Sequence, residues 1–437
     1  MILQRLLSNT IVIAVLMYAS FSHADFALHP YMGDFNTSRA GGAAIANDAS
    51  TLYTNPAGLS NLREPNLTAG VHLFISSTNF TNDGSTDALG TSVSGSNGGD
   101  AGSNTPIPYF YYARPITDRW SIGAGLNVPY GLSVEWDKDW VGRYQNVEAS
   151  IETLNPTVGA SFKLNDGWSI GAALNYYMTD AKLSQALDFG AICLGEVDLA
   201  TCSSLGMLPQ AADGFIEIEG DDSAATFTLG MHKRWEKTQF GLAYQAKASH
   251  TLSGTADFTT PAAAAIFNPA FMDSGASLDL TLPETISLSI YHMLKDDVRV
   301  MADVTNTRWS RIKELVVKFD NAAQPDMVFP RDWDNTYRVS MGIDYDYNNQ
   351  WSLQGAIAFE ESAIPDSTYD PSVPTTDAYW LNTGFVYNKN SLRVSSGLTY
   401  IIFKDREINN IGVMGDTLRG TIDPSLIVLG AQVTWYM

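Results

Sequence analysis

The sequence predicts an all-β protein, a 14-stranded antiparallel transmembrane β-barrel with an N-terminal hatch, or plug, inside its lumen. Three observations predict it: an export leader, long stretches with a side-chain period of two, and a regular succession of short and long connections. In "YNNQWSLQGAIAFE", residues 347–360, Trp351, Leu353, Gly355, Ile357 and Phe359 fall on one parity. Ser352, Gln354, Ala356, Ala358 and Glu360 fall on the other. A strand puts these two sets on opposite faces, one apolar and one small and polar.

The leader comes first. The chain opens "MILQRLLSNTIVIAVLMYASFSHADF", with Arg5, an apolar run at 11–18, and Ser22 and Ala24 at the minus three and minus one places. That order is a secretory signal peptide cut after Ala24, so residues 1–24 stand outside the fold. The run is shorter than the ~20 residues a spanning helix needs. A net charge of -21 gives no basic footprint for nucleic acid. The two cysteines, Cys193 and Cys202 in "CLGEVDLATC", most simply close a small disulfide loop in an exported protein. No paired His or second Cys pair stands near them to hold a metal.

Residues 25–65, rich in Gly, Ala and Asn, do not alternate and precede the first strand at 66–79. Small residues such as Ala40, Gly41, Gly42, Ala43 and Ala44 suit close packing against a wall, so the expected hatch is 25–65. The barrel with its long extracellular loops is 66–437.

The strands are counted by their turns. "TDRWSIGAGLNV" (117–128), "NDGWSIGAALNY" (165–176) and "NNQWSLQGAIAF" (348–359) each run from a tight polar turn through Trp into alternation. "RWEKTQFGLAY", "LKDDVRVMADV" and "YNKNSLRVSSGL" add three more turns. Long connections are expected near 80–105, 130–146, 181–221, 250–276, 306–334, 361–377 and 404–423. Six short turns and seven long loops separate fourteen strands, the pattern of outer-membrane barrels. In 278–290, Leu278, Leu280, Leu282, Ile286, Leu288 and Ile290 are expected on one face. The outward parity is expected to switch from Val298, Val300, Ala302 and Val304 to Trp309, Leu315, Val317 and Phe319, through a break near 305–309. The final stretch, "SLIVLGAQVTWYM", keeps one apolar face to its end and resembles the signal read by the barrel-assembly machinery, although it closes on Met437 behind Tyr436.

The run "RAGGAAIANDASTLYTNPA", 39–57, resembles the N-terminal hatch of the FadL family of transporters for long-chain fatty acids and other hydrophobic compounds. The likeness continues in order through "VPYGL" (128–132), "WVGRY" (140–144), "LPE" (282–284), "RWS" (308–310) and "AYWLNTGFVYNKN" (378–390). It implies a hatch centred on Asn55, Pro56 and Ala57 and an apolar ligand captured outside and released sideways through the wall. It also implies a first ligand groove in two long loops. Those loops carry Phe189, Leu194, Met207 and Leu208, and Ile266, Phe267, Phe271 and Met272, apolar material that marks a binding surface. Cations able to meet a carboxylate are Lys182, where the third long loop begins, and Arg299, Lys318, Arg338 and Arg393 on lumen parity. Arg299 is expected to meet Asp303 or Asp344 if it serves the wall instead.

The expected partners are hydrophobic small molecules or fatty acids, outer-membrane lipid and lipopolysaccharide, with the barrel a monomer in the bacterial outer membrane. No cofactor is called for. Two other functions remain: a substrate-specific aqueous porin, and an outer-membrane hydrolase. The second lacks a paired acid or nucleophile motif around His29, His72, His232, His250 or His292.

Overall fold

A computed structural model describes residues 40–267 and 269–437. The expected leader, 1–24, and residues 25–39 lie outside the described residues. Fourteen wall strands follow in chain order. They are β1 (Asn66–Asn82), β2 (Asn104–Pro115), β3 (Trp120–Glu135), β4 (Glu148–Lys163), β5 (Trp168–Asp188), β6 (Asp213–Arg234) and β7 (Thr238–Gln245). The second half comprises β8 (Thr285–Lys295), β9 (Val298–Thr307), β10 (Thr336–Asp346), β11 (Trp351–Glu360), β12 (Ala378–Lys389), β13 (Leu392–Phe403) and β14 (Thr417–Tyr436). Each pairs antiparallel with the next. β14 returns to β1 in register from Asn66–Tyr436 to Asn82–Gly420 and closes the barrel.

The connections at 116–119, 164–167, 235–237, 296–297, 347–350 and 390–391 are short, and those at the other end are long. Between them the outward face is apolar: Leu174 is 67% exposed, Met341 61% and Ile357 59%. So broad an apolar exterior is stable against lipid and not against water. Trp120 and Trp351, each at a strand's start, face outward at its edge, where an amphipathic ring sits best.

Above that belt the wall continues. Ala248–Thr259 pairs with the upper part of β6 and with Ser274–Leu282, which pairs in turn with Glu314–Phe319. Met327–Pro330 and Arg406–Ile411 complete this tier. Two sequence expectations are corrected here. Leu280 and Leu282 are buried whereas Ile286, Leu288 and Ile290 are exposed, so the six do not share a face. The strand breaks at Pro283, which has no N–H for the ladder, and the faces exchange there. Likewise a break does separate β9 from Glu314–Phe319, but Trp309 and Val317 are buried instead of turning outward. Beyond the lipid, water takes the outer face and the apolar side turns in.

Candidate functional site

Inside the ring lie residues 40–65. Pro56 opens a 3-10 turn, Pro56–Asn61, and the Asn55 side chain caps it by accepting from the Ala57 N–H at 3.1 Å. The Asn55 amide then donates to the Ala43 carbonyl at 2.7 Å and to the Met231 carbonyl of β6 at 3.0 Å. Ser169 of β5 donates to the Ala57 carbonyl at 2.8 Å. Asn55, Pro56 and Ala57 are thus brought together and bound to the wall. The wall is smooth where they touch it. A Cβ on Gly230 would lie 2.0 Å from Asn55 Oδ1, one on Gly171 2.4 Å from Ala57 N, and one on Gly241 1.8 Å from the Ala43 oxygen. A side chain at Gly171 or Gly241 would displace the segment's backbone, and one at Gly230 would displace the Asn55 side chain that caps it.

The wall is incomplete between β2 and β3. Their ladder runs only from Phe110–Leu126 to Pro115–Ser121. Above it β2 pairs with β1 and β3 with β4, and the next bond across the seam is from the Glu135 N–H to the Ala101 carbonyl at 3.3 Å, so the gap is a window bounded above and below. The Ser76 N–H donates to the Ser103 carbonyl at 2.9 Å, so alternation assigns the odd residues of β2 to β1 and leaves the even ones facing β3. Pro106 and Pro108 are the even residues there, and they have no N–H to offer. An open seam therefore strands two fewer donors in lipid than it would without these prolines. On β3 the register shifts between Asn127 and Tyr130, around Pro129, and residues 127–134 are buried on both parities. The Tyr130 hydroxyl donates to the Pro283 carbonyl at 3.1 Å, joining β3 to the break that precedes β8 across the lumen.

Above this constriction is an apolar cavity of about 120 Å³, whose lining includes Leu132, Ile151, Leu183, Leu280, Ile312 and Val317. Arg331 lines it too, only 5% exposed. Its guanidinium bonds Asp370 through Nη1 and Ser372 through Nη2, and Nε has no partner among the described residues. A pocket of about 240 Å³ shares Phe329 and Arg331 with the cavity and reaches the extracellular tip at Val413. A cation thus stands where an outer mouth meets an apolar chamber.

The loop residues divide. Phe189 and Met207 are fully buried around the Cys193–Cys202 disulfide, with Leu194 and Phe271 packed against them. The Phe189 and Phe271 rings meet edge to face at 4.9 Å, so the two long loops share one core. Leu208 and Met272 remain exposed, and the side chains of Ile266 and Phe267 lie outside the described residues. Helix Phe189–Glu196 is capped by Asp188, which accepts from Gly190 and Ala191. Burial raises the Asp188 pKa to about 6, with the nearby Asp213 charge pushing the same way.

The cations are dispersed. Lys182 lies within β5 at the edge of the same apolar cavity as Arg331, and is held among Glu148, Glu217 and Glu219 at 3.3, 3.2 and 3.3 Å. Arg299 pairs with Asp346, two residues beyond the Asp344 expected from sequence. Arg338 pairs with Asp303 at 3.5 Å and lies over the Trp380 ring at 4.5 Å. Lys318 pairs with Asp279 on the exposed upper tier, and Arg393 is buried in β13 opposite Thr434. Arg331 falls within 306–334, where the sequence predicts a loop, and so is not among the cations expected from lumen parity. Its signal is a lone cation between Phe329 and Trp333.

The sequence matches the family described as outer membrane protein transport protein (OMPP1/FadL/TodX) over residues 29–436. The chain belongs to this family of outer-membrane transport proteins. Outer membrane protein P1 of Haemophilus influenzae is 25% identical over 402 residues, covering 86% of this chain and 85% of the relative. The long-chain fatty acid transport protein of Escherichia coli K12 is 24% identical over 395 residues, 85% of each. Among solved structures, a Pseudomonas aeruginosa FadL homologue superposes with a TM-score of 0.85 at 23% identity, over 95% of this chain and 100% of that one. The Pseudomonas putida toluene transporter TodX gives 0.69 at 18% identity, over 95% and 99%. The OMPP1/FadL/TodX family consists of transport channels, which removes the hydrolase alternative and places the chain in the bacterial outer membrane.

Proposed function

We propose that the protein takes up hydrophobic molecules, long-chain fatty acids or aromatic and aliphatic hydrocarbons, by passive diffusion. The ligand passes from the loop surface to the apolar cavity, and the N-terminal segment gates its exit sideways between β2 and β3. The observation that carries this reading is the seam, where prolines on β2 and a bulge on β3 leave the wall unpaired beneath an apolar chamber. Each CH₂ leaving water gains ~0.8 kcal/mol, so the barrier is the lipopolysaccharide layer and not hydrophobicity. A route around that layer requires no energy source. Arg331 supports a carboxylate among the ligands, and the relatives include both a long-chain fatty acid transport protein and a toluene transporter.

The test is uptake of labelled oleate and labelled toluene by cells whose own transporters are deleted, alongside planar-bilayer recording. Uptake with near-zero conductance is expected. Stable ion conductance without hydrophobic uptake would overturn the reading in favour of an aqueous porin.

A further inference from the structure

At the periplasmic end a pocket of about 700 Å³ lies outside the apolar route. Arg63 of the N-terminal segment lines it with Arg119 of the β2–β3 turn, Lys163 of β4 and Arg234 of β6. Asp118 is the one acid among its lining residues. All four cations are exposed, and none forms an ion pair among the described residues. With 47 acids against 26 bases in the chain, four cations beside one acid reverse the protein's overall balance. Like charges around one concavity repel, and an anion between them removes that repulsion. Guanidinium groups hold carboxylate and phosphate oxygens in a two-pronged geometry.

The pocket also lies on a joint. Ser60 donates to Ser161 at 2.8 Å and the Asn61 amide meets His232 Nδ1 at 3.1 Å, so the segment's last turn is fixed to β4 and β6 at this place. We propose that the pocket binds an oxyanion, a phosphate or carboxylate group, and that the bound anion latches the end of the N-terminal segment to the wall. The anion touches Arg63 on one side and Arg119, Lys163 or Arg234 on the other. Its source is either a soluble periplasmic anion or the headgroup of an amphiphile, for which Ile116 and Trp168 supply an apolar edge. The latch holds whether or not the apolar route above carries the substrate.

Hydrogen exchange of the backbone at 57–63, in the full barrel in nanodiscs, tests this. Inorganic phosphate is titrated against sodium chloride of equal ionic strength in zwitterionic phosphatidylcholine discs. A second arm replaces part of that lipid with phosphatidylglycerol, without phosphate. Mass action makes local opening about ten-fold rarer at about ten times the Kd, so exchange should slow by that factor in one arm. The arm that responds identifies a soluble or a lipid source. R119Q/K163Q/R234Q should abolish the response, and R119Q/R234Q, confined to exposed strand ends and turns, should weaken it. No slowing in either arm, or equal slowing in the triple variant, would overturn the latch.

Discussion

The seam between β5 and β6 and the seam between β2 and β3 belong to one barrel and behave oppositely. β5 and β6 pair without interruption from Trp168–Lys233 to Asp188–Asp213. β2 and β3 stop at Phe110–Leu126. Hydrophobicity does not separate them, since both present apolar residues to lipid, Leu174 and Phe227 at one and Ile122 at the other. Hydrogen-bond supply does. β5 and β6 contain no proline, whereas β2 has Pro106 and Pro108 on the edge that would meet β3, and β3 has Pro129 at its bulge. In a bilayer an unmet donor costs several kcal/mol, so a wall opens only where the sequence has already removed the donors.

The largest effect should come from closing the short seam. Cysteines placed at 108 and 129 and joined by a bifunctional thiol reagent should reduce hydrophobic uptake to background. The native cysteines are already bonded to one another and do not compete. The same reagent across Leu174 and Phe227, which are registered partners at the long seam, should leave uptake unchanged. Equal loss at both seams, or none at either, would break the comparison.

Next comes the segment beneath the cavity. Asn55→Ala with Pro56→Ala removes two hydrogen bonds to carbonyls and a fixed φ, on the order of 2 to 3 kcal/mol. Gly230→Ala reaches the same segment from the wall, because its Cβ would overlap Asn55 Oδ1. Both variants should insert normally, lose most uptake and show raised conductance in planar bilayers. Deleting 25–65 should conduct most of all while the fourteen strands persist. Unchanged conductance in all three would leave the segment without a gating part.

Arg331→Met should act on one ligand class only. Losing a charge-assisted hydrogen bond costs about 1.5 to 3 kcal/mol, so oleate binding should weaken roughly ten- to hundred-fold while toluene binding stays within two-fold. Equal weakening of both would show that Arg331 shapes the chamber and does not meet a carboxylate.

Much of this was legible in the sequence. Six short turns, seven long connections and the strict alternation of 351–359 specify the strand number, because lipid outside and lumen inside impose a period of two that nothing else disturbs. What the alternation does not carry is which medium covers the apolar side. Leu280 and Ile286 have the same parity and opposite fates, because Pro283 separates a strand in lipid from one in water. The site was less legible for a related reason. "VPYGL" and Pro106 and Pro108 mark the open seam, yet an edge is a property of two strands, and neither reports its neighbour. The wall glycines are equally silent: Gly171, Gly230 and Gly241 look like ordinary strand glycines until the segment lies against them.

The smallest effect concerns the loop cap, which lies above both seams and should change neither. Asp188 ends β5, outside the membrane, and its carboxyl is pushed up to about 6, chiefly by burial. Burial also raises Asp416 in the nearby loop. In the unfolded loop an aspartate titrates near 3.9, roughly two units lower. The folded loop therefore binds the proton more tightly, and its stability rises as pH falls from about 6 toward the unfolded value. Above that window both states carry the charge, and the folded loop bears the full cost of burying it. Exchange of the backbone at 189–212, corrected for its intrinsic rate, should be several-fold slower at pH 5 than at pH 7.5. Asp188→Asn should flatten most of that dependence, with Asp416 accounting for the remainder. Uptake at saturating ligand should keep the same pH profile in both proteins, because exit through the seam lies below the cap and does not involve it. A pH-independent cap, or an Asp188→Asn variant with the wild-type profile, would show that Asp188 does not set the stability of the loops.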